Sequence, residues 1–443
     1  MPSCCSARPP WRPGRPPSGA FNQQQEEDAM LRKFLLGALG ACAMLGLAGR
    51  AQASQLIINT GLSDPADKTA FQAMVDDFEK ANPGIDVKVN VYGHEEEKIA
   101  IRNWLVSDPP DLVYWYPGVR MQSFVKPHLF GPVTDVWQQL NLAGNIAPGV
   151  TEQMTYDGQR WGMPYAYYTW GVYYRKDIFA KYDLSAPKDW KEFLHDCAVL
   201  KSHHITPIAL GDQELWPAAG WFDYLDLRIN GFAAHEALMH GKIAYDSPSV
   251  IKVLQTWADL VKKGYFTENA TSYKWQDAQR FLFNGQAGMF LIGSFMLPDI
   301  PKAEADKIGF FDFPVINPQA GPAEDAPIDM FAMPGHAPDP ANAKLFLKFM
   351  AEPAEQAKFA AAIGELPVVK GAPVASDPLL QQQAQMLSTV AHFSQFYDRD
   401  NKPEMASFGM QQFQKLLYYP KSVQAVAKRL TAEETKVYGA PSN

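Results

Sequence analysis

The sequence predicts a two-lobed α/β protein whose chain crosses between the lobes more than once. Short apolar runs of strand type alternate with amphipathic helical runs from about residue 55, and the same alternation returns past residue 190. The chain left after a predicted N-terminal leader, 390 residues, is long enough for two domains of ordinary size.

The elements follow in order. Gln55-Leu-Ile-Ile-Asn59 is a short apolar run suited to a buried strand. Asp64-Pro65 reads as a helix N-cap followed by proline at the first helical position. Phe71, Met74, Val75 and Phe78 fall at helical spacing, and Asn82-Pro83-Gly84 ends that helix. Ile85, Val87, Val89 and Val91 alternate with polar neighbours, the period of a strand. A second helix spans Ile99 to Val106, and Leu112-Val-Tyr-Trp115 is the next strand. Strand, helix, strand, helix, strand implies parallel pairing. Ligands of such sheets bind beyond the C-terminal strand ends, here near Thr60–Ser63, His94–Glu95 and Tyr116. Further on, Trp190, Phe193, Leu194 and Cys197 form a helical stripe, and Ile205–Leu210 is a strand ending at Gly211. Ser247-Pro248 and Asp339-Pro340 open two more helices.

The N-terminus is of another kind. Residues 1–29 hold six prolines and no apolar periodicity, and are read as a non-native extension with Met30 as the true start. Arg32-Lys33, the apolar run Phe34–Ala48 and Ala51-Gln52-Ala53 make a signal peptide over residues 30–53, cleaved after Ala53. A lipoprotein site at Cys42 is the competing reading. Beyond Ala53 stand 34 basic and 45 acidic residues, a formal charge of −11 without basic clusters, which argues against nucleic acid or an anionic membrane surface as partner. Cys197 alone remains there, so no internal disulfide forms within that part.

Three stretches carry a family resemblance: Asp111-Leu-Val-Tyr-Trp-Tyr-Pro-Gly118, Gly162-Met-Pro-Tyr-Ala-Tyr-Tyr-Thr-Trp170 with its continuation to Phe179, and Phe283-Asn-Gly-Gln-Ala-Gly-Met-Phe290 with its continuation to Phe295. In this order they resemble extracellular solute-binding proteins of the maltose-binding type, over most of residues 55–435. The resemblance implies a periplasmic-binding-protein fold, two lobes on a hinge with an interlobe ligand cleft. It also implies a monomer that captures a sugar and hands it to an ABC permease in the membrane, with no cofactor and no catalysis. The first lobe is expected over 54–165, rejoined by about 326–370, and the second over 166–325 with about 371–443. No G-x-x-x-x-G-K-[ST] pattern occurs, so ATP hydrolysis would belong to another chain.

A sugar needs aromatic faces for its apolar ring face and carboxylate or amide groups for its hydroxyls. Trp115 and Tyr116 end a first-lobe strand; Tyr168 and Trp170 lie at the lobe crossing; Trp216 follows Gly211-Asp212-Gln213-Glu214 and precedes Pro217, in a loop at a strand's C-terminal end. Trp221 is assigned to the core of the next helix. Glu95 begins a helix, where it would contact ligand or merely favour the helix dipole. Arg120, Asp223, Ser294 and Asp329 complete the candidates, with Asp223 alternatively a solvated helix carboxylate. Asp398-Arg399-Asp400 is read as a surface ion pair rather than a cap on the cleft. Two rival chemistries are weighed. A secreted carbohydrate-active enzyme would need two carboxylates across a cleft, nominally Asp223 and Asp226. A ferric-ion binder would use the tyrosine pairs Tyr167-Tyr168 and Tyr173-Tyr174.

Overall fold

The computed structural model describes residues 54–390 and 392–439, so the readings made on residues 1–53, the extension, the signal peptide and Cys42, lie outside the described residues.

Two sheets organise the fold. The larger runs in the order Leu366–Pro367, Met163–Tyr167, Ile328–Pro334, Leu112–Trp115, Ser54–Thr60, Ile85–Val91, with Phe130–Gly131 paired to one side. Its N-terminal part is parallel: Leu56 pairs with Val87, and Ile58 with Leu112. The strand Ile328–Pro334 then enters antiparallel between Leu112–Trp115 and Met163–Tyr167. The smaller sheet runs Ile308–Phe311, Trp170–Arg175, Ala287–Gly293, Thr206–Ala209. Each sheet has its own apolar core. One gathers residues from Leu56 to Ala166 and again from Ile328 to Val369; the other is built mainly from Tyr168 to Phe313 and from Leu380 to Leu430.

The local rules explain much of this. The helix Pro65–Ala81 starts on proline, and its stripe Phe71, Met74, Val75 and Phe78 is buried against the larger sheet's core. Phe71 stacks face to face on Phe331 at 5.1 Å and meets Phe346 and Phe359 edge-on. Burying such a ring stabilises the fold by about 1.5–3 kcal/mol, and Phe71→Ala would cost about 3–5 kcal/mol. The following helix spans His94–Ser107, starting earlier than its apolar period suggests. Glu95, Glu96 and Glu97 fill its first turn, where negative charge favours the helix dipole, and Gly93 N–H donates to Glu96. Its apolar residues Ile99 and Val106 are exposed, so they mark helix without marking core.

The crossings place the functional residues. The larger sheet hands the chain to the smaller one across Tyr168-Thr169, and receives it back across Ala326-Pro327. The two segments lie side by side, with Tyr168 N–H donating to the Pro327 carbonyl at 3.3 Å. A two-stranded ribbon, Ala323–Asp325 with His392–Ser394, joins the second crossing to the late segment that carries Asp398 and Arg399.

Candidate functional site

Residues of both cores line one cavity of about 310 Å³. The larger sheet contributes the loop Gly61–Asp64 after its first strand, Gly93–Glu96 at a helix start, Tyr114 and Asp329. The two loops follow strand ends, as the topology of a doubly covered sheet requires, while Tyr114 and Asp329 lie within strands. A register shift between Asp329 and Met330 breaks the ladder at the cavity, the kind of bulge that re-aims a side chain. Gly61 is needed for close approach: a Cβ there would meet the carboxyl of Glu97.

The smaller sheet supplies an aromatic side. Trp216, Trp170, Tyr168, Trp275 and Phe295 all reach the cavity. Trp170 and Trp216 stand edge to face at 5.9 Å, and Phe295 meets both. Trp216 opens the helix Trp216–Asn230, preceded by Leu215 at φ 72°, a conformation costly for a branched side chain. Asp212 holds that turn by accepting from Ala218 N–H at 2.8 Å. Gly220, one turn into the helix, leaves room for the Trp170 ring, which an added Cβ would strike.

Charged groups complete the lining. Lys98 bridges Glu95 and Asp398, at 3.0 Å to each. Burial opposes the Lys98 ammonium, yet Asp398, Tyr116 and Glu95 outweigh it and hold its pKa above the ordinary lysine value. Burial likewise opposes the Asp398 carboxylate, but Lys98, Arg120 and Arg399 hold it down at about 2. Arg399 donates to Asp329 at 2.6 Å and lies 4.1 Å over the Tyr116 ring. Asp67 is pushed up to about 8, by desolvation first and then by Asp64 and Asp329. Glu365 is raised well above the carboxylate range, by burial first and then by Asp329 and Asp67. Across the cavity, Gln276 Nε2 donates to Asp64 at 3.1 Å, joining the helix Trp275–Phe283 to the helix start at Asp64.

Of the ten candidates, Glu95, Tyr168, Trp170, Trp216 and Asp329 line the cavity. Trp115, Tyr116, Arg120, Asp223 and Ser294 are buried but stand outside the lining. Leu112–Trp115 is buried on both faces, so alternation did not turn Trp115 toward a ligand; Tyr114 lines the cavity instead. Tyr116 lies beneath Arg399, and its hydroxyl meets His94 Nε2 at 3.2 Å. Arg120 lies over Trp115 and donates to the Asp398 carbonyl. Asp223 is not solvated: it is fully buried and accepts from Tyr397 N–H at 2.9 Å. Asp226 beside it pairs with His235 at 2.9 Å, so this carboxylate pair faces no cleft. Ser294 is buried, with its backbone N–H on the Thr169 carbonyl. Nor do the tyrosine pairs converge. Tyr168 reaches the cavity, whereas the Tyr173 phenol accepts from Gln383 in the second core.

The segment Asp398-Arg399-Asp400 corrects the reading of a surface ion pair. All three side chains are buried, and two of them line the cavity. Sequence reasoning also passed over Asp67, Lys98, Phe295 and Glu365. Phe295 had a local signal, standing next to the candidate Ser294; Glu365 had none.

The sequence pattern of the bacterial extracellular solute-binding protein family matches residues 63–357. An uncharacterised ABC transporter extracellular-binding protein of Pyrococcus horikoshii is 28% identical over 346 residues, 74% of this chain and 77% of that one. Among solved structures, the bacterial solute receptor AcbH, with its exclusive preference for β-D-galactopyranose, matches with a TM-score of 0.83 at 28% identity, covering 87% of this chain and all of that one. A chitin oligosaccharide binding protein shares the fold with a TM-score of 0.81 at 23% identity, covering 88% of this chain and all of that one.

Proposed function

This chain belongs to the bacterial extracellular solute-binding protein family, and from that premise we propose that it captures a sugar between its lobes and delivers it to an ABC permease. The observation that carries the reading is the two-sided cavity. Aromatic faces from one core, Trp216 and Trp170 foremost, share the cavity with Asp329 on a strand of the other core and with Arg399 of the late segment after Phe396. A pyranose has the same division, an apolar ring face and a rim of hydroxyls. Stacking serves the first; charge-assisted hydrogen bonds, stronger than neutral ones, serve the second. The similarity to a galactopyranose receptor supports the same class.

Capture works by closure. Contacts from both lobes are made together only when the lobes meet, so ligand shifts the open–closed equilibrium by that difference in affinity. The Gln276–Asp64 hydrogen bond is one contact made across the cavity. A micromolar site needs about 8 kcal/mol net. Two stacked rings and a few charge-assisted hydrogen bonds supply energies of that order. The signal-peptide reading places the protein outside the cytoplasmic membrane, where the importer's permease would receive it.

A thermal-shift panel of hexoses, disaccharides, polyols and ferric ion tests the proposal. Ligand at a hundred times its Kd stabilises the fold by about 2.7 kcal/mol. A sugar that raises the melting temperature and is recovered intact supports capture. A shift from iron alone, or a sugar recovered cleaved, contradicts it.

A further inference from the structure

The acidic side chains of the cavity outnumber its basic ones, and the surplus has a chemistry. Its lysines and arginine are Lys98, Lys274 and Arg399. Each is engaged: Lys98 with Glu95 and Asp398, Lys274 with Glu214 at 3.0 Å, Arg399 with Asp329. His94 adds no cation, since burial first, and Lys98 and Arg399 after it, hold its imidazole well below the ordinary value. Asp67 and Glu365 therefore face the same space without a cation of their own among the described residues. In their ionised forms they repel each other and Asp329, which favours the protonated forms. Glu97, buried under the Gly61 loop, adds a further acid behind them.

Glu365 is the sharpest signal. Its side chain is 6% exposed, it lines the cavity, and its Oε2 has no hydrogen-bond partner among the described residues. A buried carboxylate left like this costs several kcal/mol unless it takes a proton or meets a cation. A second unpaired group stands on the aromatic side: Trp216 Nε1 is also buried, also without a partner among the described residues, and its residue lines the same cavity. The residues lining the cavity thus hold unpartnered polar atoms of both kinds among the described residues, an indole donor in Trp216 and a carboxyl oxygen in Glu365.

We propose that the sugar this cavity is built for carries a protonated amine, with the ammonium held between Asp67 and Glu365 and the ring face against Trp216. The inference rests on the sugar-capture reading and narrows it to a cationic amino sugar. An ammonium group offers three donors and a full charge, where a hydroxyl offers one donor and none. It lets Asp67 and Glu365 ionise beside Asp329 by compensating their mutual repulsion, and it lies beside aromatic faces that attract cations. At pH 6.5 the Asp67 carboxyl, pushed up to about 8, holds a proton before ligand binds, and burial favours the same for Glu365, so the ammonium displaces protons and binding releases them to solvent.

The experiment is calorimetric titration at pH 6.5 with galactosamine and glucosamine against galactose and glucose, each in two buffers of different ionisation enthalpy. An amino sugar bound at least ten-fold more tightly than its parent hexose, with net proton release, supports the proposal. In Glu365→Gln and in Asp67→Asn, each tested separately so that one misfolded variant does not decide the matter, the amine-to-hexose affinity ratio falls toward one. Parent hexoses bound as tightly as the amines, or a ratio unmoved in both folded variants, overturns the inference and leaves sugar capture standing. If none of the four compounds binds, the inference falls, and the reading beneath it is decided separately by the wider thermal-shift panel.

Discussion

Replacing Arg399 with methionine removes the charge that the cavity's acidic side is organised around. Arg399 is buried, donates to Asp329 at 2.6 Å and lies 4.1 Å over the Tyr116 ring. Removing one member of a buried ion pair strands the other and costs about 3–5 kcal/mol. The lost cation–π contact adds up to about 2 kcal/mol at a desolvated site. Against this, the methionine side chain keeps part of the stem's apolar packing. The net expectation is a loss of about 4 kcal/mol at pH 7 in urea denaturation followed by tryptophan fluorescence. The loss also has a pH signature. Burial already raises the Asp329 carboxyl, with Arg399 the main force opposing it. Without Arg399 its folded pKa rises further. A carboxyl raised in the folded state contributes stability that is fully present below its unfolded pKa near 3.9 and is lost as pH rises. The deficit of Arg399→Met should therefore shrink between pH 7 and pH 4.5. Adding Asp329→Asn removes the stranded charge and should return at least about 2 kcal/mol, a coupling within the range for contacting residues. A deficit below about 1 kcal/mol, the size of an exposed pair, would refute the reasoning, as would a double variant no more stable than the single one.

Other outcomes follow from the same geometry. Trp216→Ala should weaken sugar binding about 10- to 100-fold, the effect of truncating an aromatic anchor, while Trp115→Phe, outside the cavity lining, should leave the affinity within about two-fold; calorimetry reads both. Glu434, buried in the second core's C-terminal helix and pushed by desolvation up to about 8, loses its stabilising contribution as pH rises from its unfolded value near 4.3 through 8. Glu434→Gln should match the parent near pH 4.5 and exceed it by about 2 kcal/mol at pH 8 in chemical denaturation; a difference that does not change with pH would contradict this.

What the sequence shows, and what it hides, follows from the range of the interactions involved. The helix Pro65–Ala81 and the loops after the first two strands were legible, because the 3.6 and 2.0 periods and the Asp-Pro start are set by neighbours in the chain. Those loops, Gly61–Asp64 and Gly93–Glu96, reach the cavity by strand polarity alone. Trp115 misled because its strand is covered on both faces, so alternation carries no inside and outside. Asp398-Arg399-Asp400 misled more deeply. Three charged residues in a polar stretch read as solvated unless their partners are known, and those partners are Lys98, 300 residues earlier, and Asp329, 70 residues earlier. Glu365 depends on the same long-range assembly: it stands just before a two-residue strand, Leu366–Pro367, and acquires its meaning from Asp67 and Asp329.

The most direct test of the account is a crystal structure of the protein with the sugar that stabilises it most. An intact sugar is expected between the two cores, its ring face on Trp216 or Trp170 and its polar rim within hydrogen-bond distance of Asp329, Arg399 or Glu365. A sugar found at the outer surface, or found cleaved or covalently attached within the cavity, would contradict it.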